Sequence, residues 1–110
     1  MNVKSNSVKF VNLTPHVINL NDGRAFPSEG VARVATTYTK PNSKGICRQM
    51  YGEVVGLPSP KKGVKYIVSA LVLAAAKAKG RKDCVAPASN HPDMIRDEQG
   101  HIVSVPCFVY

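Results

Sequence analysis

Glycine and proline cut this chain so often that only one stretch is free to form a helix. Eight glycines and eight prolines are spread along its 110 residues. Turn signals fall about every 8–12 residues, the spacing of chains built from short strands. The exception is Ala70-Leu-Val-Leu-Ala-Ala-Ala-Lys-Ala-Lys79. Its alanines carry high helix propensity. Ser69 suits the N-cap, Lys77 and Lys79 suit the negative end of the helix dipole, and Gly80 suits the C′ position. Leu71, Ala74, Ala75 and Ala78 fall on one face and predict the buried stripe.

The remaining segments read as strands. Val8–Leu13 and Val17–Leu20 flank Thr14-Pro15-His16, and Asn21-Asp-Gly-Arg24 predicts a tight turn. Val31–Tyr38 alternates in hydropathy, and Ile46–Leu57 is strand-like but broken by Gly52 and Gly56. Val64–Val68 precedes the helix, and Cys84–Ala86 follows it up to Pro87. Met94–Arg96 and Ile102–Val105 form a hairpin, and Cys107–Tyr110 is an edge-like last strand. The sum is about seven or eight short strands and one helix. It predicts a mostly β (α+β) fold: a compact, mostly antiparallel β-barrel or sandwich with the helix packed against it. One globular domain over residues 8–110 is expected behind a flexible N-terminal tail, 1–7.

Hydrophobic residues make up 44% and charged residues 20%, which argues against wholesale disorder. With no tryptophan, the core has to come mainly from Val, Ile, Leu and Ala. The polar start, Met1-Asn-Val-Lys-Ser-Asn-Ser7, is no signal peptide, and the apolar run Ala70–Ala76 is too short for a membrane span. A soluble, cytoplasmic protein, not secreted by the usual route, is expected. Cys47, Cys84 and Cys107 lack C-x-x-C spacing and read as reduced thiols.

The net charge is +8, and it is concentrated. Residues 61–82 carry seven basic groups and no acid, whereas residues 83–110 are net acidic. If the helix runs antiparallel to the strand before it, Lys61–Lys62 and Lys77–Lys82 meet at one end as a basic patch. Tyr66 is the only aromatic nearby, so stacking on single-stranded nucleic acid is not expected.

Seven residues stand out as ligand- or partner-binding candidates. Ser69 opens the helix, where free amides suit an anion. Thr14 and His16 flank a rigid proline. Arg33 and Arg48 lie in β-rich segments, where an arginine can line a concave face. Lys77 and Arg81 belong to the basic patch. His91 and His101 lie near carboxylates without metal-ligand spacing, and Arg81-Lys-Asp83 and Arg96-Asp97 read as exposed ion pairs. No nucleophile–base–orienter set is recognisable, so neither an enzyme, a metal nor a cofactor is expected.

The strings Val11-Asn-Leu-Thr-Pro-His16, Gly30-Val-Ala-Arg-Val34, Gly52-Glu-Val-Val-Gly-Leu-Pro58 and Tyr66-Ile-Val-Ser-Ala-Leu-Val72, with Asp83, Pro87 and Arg96-Asp-Glu-x-Gly100, resemble a family of small hypothetical phage and prophage proteins. The likeness covers about residues 8–105; the basic helix end, Lys77–Lys82, is more charged here than in that pattern. It implies a phage accessory protein, at work in the cytoplasm of the bacterial host. Such a protein, lacking catalytic machinery, is expected to antagonise host defence by binding a host protein or by sequestering a phosphorylated nucleotide signal. The alternatives are a nucleic-acid-binding accessory or regulatory protein, or a minor virion or assembly component. A homo-oligomer is a further possibility.

Overall fold

The computed structural model describes residues 8–110; the tail expected over residues 1–7 lies outside them. Ten strands and one helix follow in chain order. They are β1 (Lys9–Asn12), β2 (Ile18–Asn19), β3 (Ala25–Phe26), β4 (Arg33–Tyr38), β5 (Gln49–Val55), β6 (Val64–Ile67), α1 (Ala70–Ala78), β7 (Cys84–Pro87), β8 (Ile95–Arg96), β9 (Ile102–Ser104) and β10 (Phe108–Val109). The fold is α+β and mostly strand, as the punctuation of the sequence implies. No helix among the described residues is long and apolar enough to cross a membrane.

The strand pairing corrects the closed barrel but keeps the mostly antiparallel character: four of the six strand pairs are antiparallel. A four-stranded sheet of order β1-β6-β7-β10 forms the centre, with three separate two-stranded ribbons, β2-β3, β4-β5 and β8-β9. No closed barrel is present among the described residues. In the central sheet β1 and β6 are parallel, β6 and β7 are parallel, and only β10 runs antiparallel to β7. The reason is the helix. A helix joining two adjacent strands carries the chain back along the sheet, so the second strand starts where the first did. β10 occupies an edge of the sheet, as its sequence suggests.

Helix α1 begins and ends as its sequence dictates. Ser69 caps it, its Oγ accepting from the Val72 amide at 3.3 Å. At the other end Gly80 has φ +88°, and the Gly80 and Arg81 amides donate to the Lys77 and Ala76 carbonyls. This paired motif satisfies carbonyls the helix leaves free. The buried face differs from the expected one. Val72, Leu73, Ala75 and Ala76 are buried, while Leu71, Ala74 and Ala78 are exposed. Every residue from Ala70 to Ala76 is apolar, so periodicity could not choose between neighbouring stripes. The choice fell to packing: bulky Val72 and Leu73 fill the core, and small Ala75 and Ala76 let the helix approach the sheet.

The core lies between α1 and one face of the central sheet. It is built from Leu13, Tyr66, Val68, Cys84 and Ala86 of the sheet side, with Ala32 and the helix residues. Val34, Val54 and Leu57 at the base of the β4-β5 ribbon close its flank. On the opposite face Phe10, Phe26 and Phe108 form a small aromatic cluster. Phe10 and Phe108 have ring centroids 5.0 Å apart, and Phe26 lies 5.6 Å from each.

Beyond its base the β4-β5 ribbon leaves the core. It pairs from Arg33↔Val55 to Tyr38↔Gln49, with a bulge between Val34 and Thr36. Gly52 does not break β5 as expected but sits within it, and Gly56, with φ +85°, ends it. The ribbon is an arm, and the molecule is correspondingly elongated at 59 × 39 × 22 Å.

Candidate functional site

The seven candidates do not converge on one pocket. Thr14, Arg33 and Ser69 do meet. They line an open groove of about 660 Å³ at the start of α1, between the β1–β2 loop and the base of the arm. Val55 and Leu71, both exposed, give it apolar walls. Arg33 has no ion-pair partner among the described residues, but Glu53 lines the same groove. A groove holding one cation and one carboxylate exerts little net pull on an anion.

Thr14 and His16 are explained by a residue the sequence reading passed over. Asn12 is fully buried. Its Nδ2 donates to the His16 carbonyl at 2.8 Å and to the Phe26 carbonyl at 2.7 Å. Its Oδ1 accepts from the Thr14 amide at 2.9 Å and from Thr14 Oγ1 at 2.7 Å. All four hydrogen-bonding positions of the amide are filled. Asn12 therefore clamps the Thr14-Pro15-His16 turn to β3. His16 takes part through its backbone oxygen, and its exposed ring lines a different, shallow groove beside Ile102 and Val103. The available signal was an asparagine set between the apolar Val11 and Leu13 of a strand.

Arg48 lies on the arm, where its amide donates to Thr39 Oγ1 at 2.8 Å. Tyr38 and Met50, 64% and 47% exposed, lie nearby, and Ile46 is 61% exposed. Strand register places Tyr38 on the same face as Tyr51 and Met50 on the other. Between Gly30 and Gly52 the arm carries Arg33, Lys40, Lys44 and Arg48 and no acidic residue.

Lys77 and Arg81 lie at the opposite end of α1 from the groove. Arg81 is not part of an exposed ion pair, as its sequence context suggests, but of a half-buried one. Its Nε and Nη2 reach the two Asp83 oxygens at 3.0 and 2.9 Å, and Nη2 also donates to the Pro58 carbonyl at 2.7 Å. The hydrogen bond from Arg81 holds the Asp83 carboxyl below its ordinary range, and Asp83 in turn raises Arg81. This fork pins the Pro58–Lys62 loop against the end of the helix. Burial pushes the neighbouring Cys84 thiol up to about 11, while Cys47 and Cys107 are exposed. Arg96 turns from Asp97 to the Gly100 carbonyl at 2.6 Å. His91 and His101 lie 4.0 and 3.6 Å from Asp93 and Asp97. Among the described residues no group of three His, Cys, Asp or Glu side chains is placed to hold a metal ion.

The fold and these surfaces define a small α+β protein with an open groove, a projecting basic arm and a lysine-rich end. No family model, no curated protein and no solved structure matches the chain.

Proposed function

We propose that this chain is a small, non-enzymatic phage accessory protein that antagonises host defence by gripping an acidic surface of a host protein with its β4-β5 arm. The observation that carries this is the arm's composition. The ribbon exposes Tyr38 on one face and Met50 on the other, and its far end carries exposed Ile46 with Lys40, Lys44 and Arg48 and no carboxylate between Gly30 and Gly52. Tyrosine, methionine and arginine are the residue types enriched at protein interfaces. Side chains held on an already formed two-stranded ribbon lose less entropy on docking than those of a segment that must order first. The basic groups steer toward an acidic partner.

Sequestration of a phosphorylated nucleotide is the second reading, supported by Thr14, Arg33 and Ser69 sharing one groove. Glu53 in that groove opposes a multiply charged phosphate, which is why the arm is preferred.

The test is affinity capture from a bacterial host lysate with the native chain and a Tyr38→Ser/Arg48→Glu variant. Capture of one host protein by the native chain alone, weakened by added salt, is the expected result. Equal capture by both chains refutes the arm as the contact surface. A nucleotide that raises the melting temperature of both chains equally transfers the function to the groove.

A further inference from the structure

We propose that the lysine-rich end of the central sheet is a docking surface for the phosphate backbone of duplex nucleic acid. This surface is separate from the arm and does not depend on the arm's partner. Three elements bring it together. The parallel pairing of β6 and β7 returns α1 to the end at which β6 begins, so Lys77, Lys79 and Lys82 come to the end that holds Lys61 and Lys62. The bond from Arg81 to the Pro58 carbonyl ties the two segments together. β1 adds a further lysine that linear charge counting does not reveal. It runs parallel to β6 with Lys9 opposite Val64, and the Lys9 amide donates to the Gly63 carbonyl at 2.8 Å.

Six exposed lysines therefore share one end of the molecule. Among the described residues none of them is in an ion pair. Two acids border this end: Asp83 is already held by two bonds from Arg81, and Glu53 lines a small cavity with Lys79 and Arg81 without forming an ion pair among the described residues. Lys65 adjoins the set, its Nζ donating to the Lys82 carbonyl at 3.5 Å.

The chemistry of the set selects the partner. Lysine is a flexible point charge that follows phosphates without fixing their geometry, and it is depleted at protein interfaces. Tyr66 is buried with its hydroxyl donating to the Ser59 carbonyl, and Phe10, next to Lys9, is packed against Phe26 and Phe108, so neither offers a stacking platform for unpaired bases. What remains is charge without base readout, which suits the sugar–phosphate backbone of a duplex and implies no sequence preference.

Fluorescence anisotropy with a labelled DNA duplex of arbitrary sequence tests this. With four to six phosphates engaged, log Kobs should fall against log salt with a slope of roughly −4 to −5, so affinity should drop at least a hundredfold between about 50 and 200 mM salt. Lys61→Glu/Lys62→Glu/Lys79→Glu should weaken binding at least tenfold and flatten the slope by about 3. Lys61→Arg/Lys62→Arg/Lys79→Arg should retain it, and Arg48→Glu on the arm should leave it unchanged. Circular dichroism of each variant verifies that it is folded. No binding at about 50 mM salt, equal loss with Arg48→Glu, or equally tight binding of a polyglutamate peptide would each overturn the proposal, the last by pointing to an acidic protein.

Discussion

Replacing Asn12 with alanine should be among the most damaging single changes available in this protein. The substitution removes an amide that fills four hydrogen-bonding positions in a fully buried site. Thr14 Oγ1 also lies 3.0 Å from the His16 carbonyl, so it can turn to serve that oxygen. The Thr14 amide and the Phe26 carbonyl have no such substitute. Each orphaned buried group costs about 1–3 kcal/mol, so the loss should be about 3–5 kcal/mol once the small cavity is included. That is a large share of the roughly 5–15 kcal/mol that holds a domain together. Because the chain has no tryptophan, urea unfolding is best followed by far-ultraviolet circular dichroism. His16→Ala is the control. It keeps the backbone oxygen and removes only an exposed ring, so it should cost less than about 0.5 kcal/mol. A loss below about 1 kcal/mol for Asn12→Ala, or an equal loss for His16→Ala, would refute the clamp.

Three further outcomes are expected. Gly56→Ala should destabilise by at least about 2 kcal/mol, because φ is +85° and a Cβ there would lie 2.6 Å from the Val31 carbonyl oxygen; a melting temperature equal to that of the native chain would contradict this. In a thiol-reagent assay Cys47 and Cys107 should react at once and Cys84 only after unfolding. The Cys84 thiol ionises near 9.0 when unfolded and about 11 when folded, so its contribution is intact below 9.0 and is lost as pH rises through that window. The loss should approach about 1.4 kcal/mol per pH unit in alkaline melts. Asp83 has the opposite sign. Its carboxyl is lowered, so its contribution is present above the ordinary carboxylate range and disappears as pH falls through the lowered value. Asp83→Asn should cost about 1–3 kcal/mol at neutral pH and progressively less in acid. A gap that does not change with pH would argue against the ion pair.

Local signals carried much of the fold. Ser69 and Gly80 bracket the helix because capping depends on the few residues at each terminus. Asp22-Gly23 turns the chain because Gly23 takes φ +97° without steric penalty. The candidate site was less legible. Thr14, Arg33 and Ser69, far apart in sequence, share a groove, whereas Arg48, Lys77 and Arg81 lie elsewhere. Residue chemistry marks a side chain as able to bind without saying which others will stand beside it. Asn12 was missed for a related reason: its partners, the His16 and Phe26 carbonyls, are backbone atoms that sequence pattern does not display.

By itself the sequence determined the inventory: many short strands, one capped helix, buried aliphatic side chains and a concentrated positive charge. These follow from backbone sterics, local hydrogen bonding and hydrophobicity, which act over a few residues at a time. Only the tertiary structure decided that the central strands run parallel, that Val72 and Leu73 rather than Leu71 face the core, and that β4 and β5 leave it as an arm. It also brought Lys9 to the end that holds Lys61, Lys62 and Lys77. Such outcomes depend on which surfaces can be buried together across long chain separations, and the energy of that choice appears only once the elements pack.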